Sequence, residues 1–411
     1  MARGQSRGIL VHMQVKPARV MIVGGGVAAL EAMIALRQLA QERVEIELVA
    51  PRADWSYRPM IVAEPFGAGE AKRYDLVRIA RDHDAALHLA GVQAVEPDAH
   101  RVVTWDGRRL SYDLLVIAVG GIPVVSLPGS LSIGSSGYSA RFRSLLRQLE
   151  ARRIRRLAFA VPSTVSWPLP VYELALMTAA HAAKLSLRDL ELSVVTPERE
   201  PCELFTPPAS AAIAGLLEEH CIAFYGGRHP AEVRHGELIT VPGVPLPTDS
   251  VVSLPQERGP SLAGLPHDPL GFIPTDLHGL VHGQEDVYAA GDATTYPIKQ
   301  GGIAAQQAAA AAEAIAARVG APLEPRAFRP VIRGLLLTGG QPAFVRTEVS
   351  GRADQPPEAA VQPLWWPPSK IATRWLAPYL ALKHDELEAP PNGMAVELEV
   401  GAAEGLAGKA L

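Results

Sequence analysis

Two cysteines, Cys202 and Cys221, are all that 411 residues carry. No disulfide framework and no zinc cluster can be built from them, and a reducing, cytoplasmic setting is expected. A basic excess is also missing. Lys and Arg number 39 against 43 Asp and Glu, a formal charge of −4, which argues against a nucleic-acid partner. No apolar run reaches the ~18 residues that a membrane span needs. Residues 1–18 carry scattered Arg and one short apolar run, Ile9-Leu10-Val11, too weak for a secretory signal. They read as a disordered leader. Histidine gives no metal pattern: His83 and His88 are five apart, and His278 and His282 flank a glycine turn.

What is present is a globular composition, 48% hydrophobic and 20% charged. The length implies two domains and a smaller terminal piece. Arg19 to Val23 is a short apolar run ending in glycines. A helical stretch follows from Ala28 to Gln41, then a strand from Val44 to Val49. This strand–turn–helix–strand unit opens a parallel sheet. Tyr112 to Val119 is a continuous apolar run, typical of a strand buried on both faces. A second β-α-β unit is predicted from a strand at 156–161, a helix at 170–184 and a strand at 190–195. A further helix is expected at 210–220 with Ser210 as its N-cap. Asp286 to Ala290 and the Ala-rich stretch from Gly302 to Val319 then repeat the first pattern.

The predicted fold is therefore α/β, with two Rossmann-like three-layer domains, the first discontinuous, plus a C-terminal flap. Residues 19–130 and 270–322 make the first domain and 131–269 the second. The flap covers 323–387, and 388–411 read as a mobile tail.

Chemistry concentrates at Gly24-Gly25-Gly26-Val27-Ala28-Ala29, which fits G-x-G-x-x-[GA] between a strand and a helix. Gly24 permits the tight turn, Gly26 lets backbone approach a pyrophosphate, and Ala29 allows close helix–sheet packing. The N–H groups around Val27 and Ala28 face the phosphates. The usual ribose-binding acid is missing. The second strand ends in Ala50-Pro51, which leaves the backbone at Pro51 or the side chain of Arg52 for that contact. Far downstream, Val287 to Asp292 brings a strand to Gly291-Asp292. An Asp there accepts hydrogen bonds from the ribityl hydroxyls of a flavin, which assigns the loop to FAD. Gly301, Gly302 and Ile303 then open a helix whose bare N–H groups can stabilise a reduced flavin, with Lys299 either adding charge or standing as a loop lysine.

These pieces together resemble the two-dinucleotide-binding-domain flavoproteins of the pyridine nucleotide-disulfide oxidoreductase superfamily. The order is Gly24, then Ala118-Val119-Gly120-Gly121, then Gly291-Asp292. Within that superfamily the chain is similar to the branch of sulfide:quinone reductases and type II NADH dehydrogenases. The resemblance implies a flavin beside Trp55 to Met60, where Tyr57, Arg58 and Pro59 line it. It also implies that Glu173 is an acid approaching the flavin site, so that Glu173, Lys299 and Tyr57 are the catalytic candidates. The redox cysteines of the branch are absent from the matching segments. Cys202 falls in a loop and Cys221 reads as buried, both structural.

The second unit departs from the pattern. Pro162 to Pro170 (PSTVSWPLP) contains no glycine. Either NAD(P)H binds there in an altered mode through Ser163, Thr164 and Ser166, or the domain serves another substrate. The function expected is an FAD-dependent oxidoreductase. It takes a hydride from NAD(P)H or a small organic donor and passes electrons to a quinone or other acceptor. The alternatives are a flavoenzyme with no nicotinamide role and a non-catalytic flavin-binding protein. Leu364 to Lys370 precedes a helix-like run, 371–383, with Ile371, Trp375, Tyr379 and Leu382 on one face and Pro378 interrupting it. That face leaves open a weak peripheral membrane contact, a cover over the flavin, or a homodimer contact.

Overall fold

The computed structural model describes residues 16–165, 167–205, 207–339, 343–346, 358–360, 369–384 and 393–399. The expected leader up to residue 15, Ser166, and the run Leu364 to Pro368 lie outside the described residues.

The first sheet is parallel throughout. Its strands are β1 (Ala18–Val23), β2 (Val44–Ala50), β3 (Ala85–Leu89), β4 (Leu114–Ile117) and, from far downstream, Val287–Ala289, which closes one edge beside β4. The discontinuous first domain is thus built into the sheet. Alternation decides what each face meets. Val20 and Ile22 of β1 point into a core with helix α1 (Val27–Ala40), while Met21 and Val23 point the other way. That other face is covered by an antiparallel sheet of residues 92–96, 101–104 and 109–111, through Val95 and Val102. Both faces of β1 and β4 are buried, which is why they read as unbroken apolar runs.

The second sheet, also parallel, contains β5 (Arg156–Ala160), β6 (Glu191–Val195) and β7 (Ile222–Tyr225). Helix α2 (Leu169–Lys184) and helix α3 (Pro207–Glu219) contribute to the core that Leu157 and Phe159 enter. The predicted Ser210 N-cap is not one. The helix starts three residues earlier, and the Ser210 hydroxyl donates to the Pro201 carbonyl at 2.7 Å. Pro207 and Pro208 explain the early start, because proline is tolerated in a first turn whose N–H groups are unpaired anyway.

Helix α4 (Gly301–Arg318) packs beside α1, and the last described helix, α5 (Leu376–His384), docks on the same layer. Pro378 does not interrupt α5. It stands in the first turn, where its missing N–H costs nothing. The N–H groups that precede it are taken by a residue of another domain. Glu31, fully buried in α1, accepts from Arg374 N at 2.9 Å, Trp375 N at 3.0 Å and Leu376 N at 2.7 Å. Burial pushes the Glu31 carboxyl up, and these three donors act against that. Leu382, expected on one face with Ile371, is 71% exposed while Ile371 is buried. Residues 393–399, within the stretch expected to be mobile, form a strand antiparallel to Val331–Leu337. Among the described residues no helix is long and apolar enough to cross a membrane.

Replacing Glu31 by Ala leaves three N–H groups without their acceptor and should cost about 1–3 kcal/mol. Thermal unfolding and limited proteolysis at 369–384 check this. An unchanged midpoint together with unchanged cleavage would show that α5 is not moored by Glu31.

Candidate cofactor site

The site begins where three strand ends meet. Gly24 donates to Val49 O at 2.8 Å, and Ala118 donates to Val23 O at 2.8 Å. Gly24 has φ +136°, and a Cβ on it would lie 2.1 Å from Ala118 O. Only glycine allows that approach. The chain then turns into α1 with Gly26 at the N-cap, where a Cβ would meet nothing within 4 Å. No side chain caps α1, and its first internal bond is Leu30 N to Gly26 O at 3.0 Å. The N–H groups of Val27, Ala28 and Ala29 therefore face open space, with the positive end of the helix dipole behind them.

Gly291 arrives from the far end of the sequence at this same place. Its φ is +80°, and a Cβ there would sit 3.2 Å from the Ala28 methyl and 3.3 Å from the Ala304 methyl. It is wedged between the first turns of α1 and α4, held by Gln307 Oε1 at 2.8 Å from its N–H. Asp292 follows, half-buried, and its carboxylate meets no hydrogen-bond donor among the described residues. Burial raises its pKa, opposed by Lys299 and Arg58. An open Gly26, an uncapped helix and a half-buried carboxylate without a donor fit a dinucleotide: phosphates on α1, hydroxyls on Asp292.

Other predicted residues gather at a second place. The Tyr57 hydroxyl accepts from Ile371 N at 2.9 Å, and Trp55 stacks on Tyr74 with ring centres 5.3 Å apart. Lys370 Nζ donates to Pro59 O at 3.1 Å and lies 2.7 Å from the Glu173 carboxylate. Glu173 also accepts from Leu337 N at 2.9 Å. Both side chains of the ion pair are buried, 1% and 7% exposed. Burial pushes Glu173 up, and Lys370 with the Leu337 N–H holds it down. Lys299 Nζ bonds the Thr294 carbonyl and lies 3.8 Å from the Phe272 ring centre. Burial lowers its pKa to about 8 against Asp292, Glu257 and Asp268.

The start of α4 is not bare. Gln300 Oε1 caps Ile303 N at 2.9 Å, and the Ile371 side chain packs on Gly301. Pro51 and Arg52 stand apart at the surface. Arg52 is engaged with Asp54 through two bonds, at 2.9 and 3.1 Å, and Arg73 joins the same carboxylate. Lys370 and Glu31 were not marked by the sequence as site residues, because each meets its partner across more than 190 positions.

In the second domain the loop ahead of α2 offers few donors. Val165 N bonds Pro162 O, Val171 N bonds Pro168 O, and Pro170 has no N–H. Trp167 packs on Phe205 at 5.6 Å. The Ser163 hydroxyl meets His229 Nδ1 at 2.8 Å. Glu198, after β6, accepts from the Tyr172 hydroxyl at 2.7 Å and from Thr196 at 2.9 Å, and burial raises it to about 7. Both cysteines are free, Cys202 buried and Cys221 exposed, the latter contrary to expectation because its helix ends at the surface. Among the described residues no group of three His, Cys, Asp or Glu could hold a metal.

Residues 18–156 match the family model described as pyridine nucleotide-disulphide oxidoreductase. The matched segment, about a third of the chain, is similar to that family. The sulfide-quinone reductase of Aquifex aeolicus (strain VF5) is 27% identical over 175 residues, 41% of this chain and 40% of that protein. Putidaredoxin reductase CamA of Pseudomonas putida is 34% identical over 146 residues, 34% of each. The match thus spans well under half the length of either curated relative. The solved sulfide:quinone oxidoreductase from Aquifex aeolicus superposes with TM-score 0.72 at 20% identity, covering 78% of this chain and 82% of that one. That likeness shows a shared fold.

Lys370→Met strands the buried Glu173 carboxylate and should destabilise by about 3–5 kcal/mol. Glu173→Leu combined with Lys370→Met should cost less than the single change. Urea denaturation of the two variants checks this, and equal losses would contradict the pairing.

Proposed function

We propose that the chain is an FAD-dependent oxidoreductase that moves electrons from a reduced donor to a quinone or other acceptor without a redox cysteine pair. The observation that carries this reading is Gly291 wedged between Ala28 and Ala304. It puts Asp292 beside the uncapped start of α1, the arrangement that phosphates and a ribityl chain need together. FAD, when bound, supplies the two-electron chemistry. The protein's own residues bind, orient and hold protons. Lys299 Nζ, lowered to about 8, keeps a titratable ammonium beside the site. Lys370 fixes the Glu173 carboxylate where α2, the 57–60 loop and the flap meet. With Cys202 buried and Cys221 exposed, neither thiol forms a pair.

The donor divides into two readings. NAD(P)H is the donor implied by the superfamily. The glycine-free turn at 162–170 favours a second reading, a small reduced metabolite with no nicotinamide role. Names of similar proteins support a quinone or a redox protein as acceptor. Exposed Leu382 gives a quinone-using chain one apolar contact for a lipid surface. The lone, unpaired thiols suit a cytoplasmic setting.

Anaerobic mixing with NADH and with NADPH separates the donors. Rapid bleaching of the flavin absorbance supports nicotinamide. Bleaching only by a metabolite supports the second reading. A flavin reduced by dithionite and by no other donor would remove the oxidoreductase proposal.

A further inference from the structure

Two antiparallel segments join the domains, Ile122–Val124 and Gln256–Arg258, with Glu257 opposite Pro123. The Glu257 side chain turns toward the first domain. Its carboxylate closes over Gly121, so near that a Cβ there would lie 2.4 Å from Oε2. Gly120 and Gly121 continue from Ala118, whose carbonyl abuts Gly24. Glu257 is therefore tied to the same strand ends that shape the phosphate loop, although it belongs to neither conserved-looking glycine motif. Around it stand Asp292 from the Gly-Asp turn, Lys299 from the segment before α4, and Arg58 from the loop after β2, all within electrostatic reach. Among the described residues neither the Glu257 nor the Asp292 carboxylate has a hydrogen-bond partner. A polar ligand beside Gly121 would give these carboxylates a partner.

We propose that Glu257 faces the bound flavin as a neutral carboxylic acid, donating its O–H to the cofactor, so that FAD binding takes up a proton. The proposal rests on the FAD reading above and adds a residue and a proton to it.

The electrostatics give the sign. Without cofactor, burial and, next, Asp292 raise Glu257 to about 7, against Arg58 and Lys299. Two carboxylates in one half-buried site do not both ionise readily. A bound cofactor removes more water from Glu257 and brings the negative pyrophosphate nearby, and both effects favour the neutral acid. A group whose pKa rises on binding takes up a proton, and affinity falls as pH rises through its free-state value. For a single group at about 7, FAD affinity should weaken roughly threefold from pH 6.5 to 7.5, with about half a proton taken up per FAD at pH 7. Lys299, held near 8, adds a separate fall at higher pH, because the same phosphates favour its ammonium form.

The test is titration calorimetry of FAD into the full chain, stripped of flavin, in two buffers of different ionisation enthalpy. Wild type should show the proton uptake near pH 7. Glu257→Gln keeps an N–H donor in place and should bind FAD with almost no uptake and with the pH 6.5 to 7.5 step removed. Lys299→Met should retain that step and lose the one above pH 8. FAD binding by wild type without proton uptake would overturn the role of Glu257 alone. Undiminished uptake in Glu257→Gln would do the same. Absence of FAD binding in folded wild type would instead overturn the FAD reading. The wild-type measurement decides even where the variant does not fold.

Discussion

The close approach of Gly24 to the carbonyl of Ala118 is the constraint from which the site follows. Strand ends normally stay at sheet spacing. Here the lack of a side chain brings β1 and the chain after β4 together and turns the backbone sharply into α1. The turn leaves Gly26 open and the first N–H groups of α1 unpaired. Among the described residues no side chain caps that positive end. Gly291 uses the same device from the other side, letting the Gly-Asp turn sit against the methyl groups of Ala28 and Ala304. The uncapped start of α1 and Asp292 are thereby held together by the Gly291 backbone, packed on the Ala28 and Ala304 methyls and bonded to the Gln307 side chain.

Around this rigid centre the other parts are fastened by buried carboxylates. Glu31 binds the start of α5 through three N–H groups. Glu173 binds Leu337 N and Lys370, and so ties the second domain to the flap. Glu313 joins Arg326 and Arg374 at the outer side of α4. There burial raises the carboxyl, but the Arg326 bonds outweigh it and leave it below its usual range. Each acid is costly to bury and each is compensated by donors from a different part of the chain. The flap is consequently part of the site's wall, since Ile371 reaches both the Tyr57 hydroxyl and Gly301.

Much of this was legible in the sequence, for a physical reason. Gly24, Gly26 and Gly291 obey local backbone rules, and the apolar runs of β1 and β4 announce burial on both faces. Fold class and the turn from β1 into α1 depend on such short-range signals. Glu31, Lys370 and Glu257 were not legible as site residues. Their meaning comes from partners brought near by the fold, and an isolated Glu or Lys looks like any solvated one. Ser210 and Pro378 misled because local preference was read without the neighbouring turn. The α4 start looked bare because the capping group was a glutamine side chain, Gln300, which reaches forward to the N–H of Ile303 without a sequence signature of its own.

An electron-density map of FAD-loaded crystals tests the central claim most directly. The account predicts the pyrophosphate over the N–H groups of Val27 to Ala29 and the ribityl chain beside Asp292. Cofactor density placed instead at the 162–168 turn, with α1 left facing solvent, would contradict it.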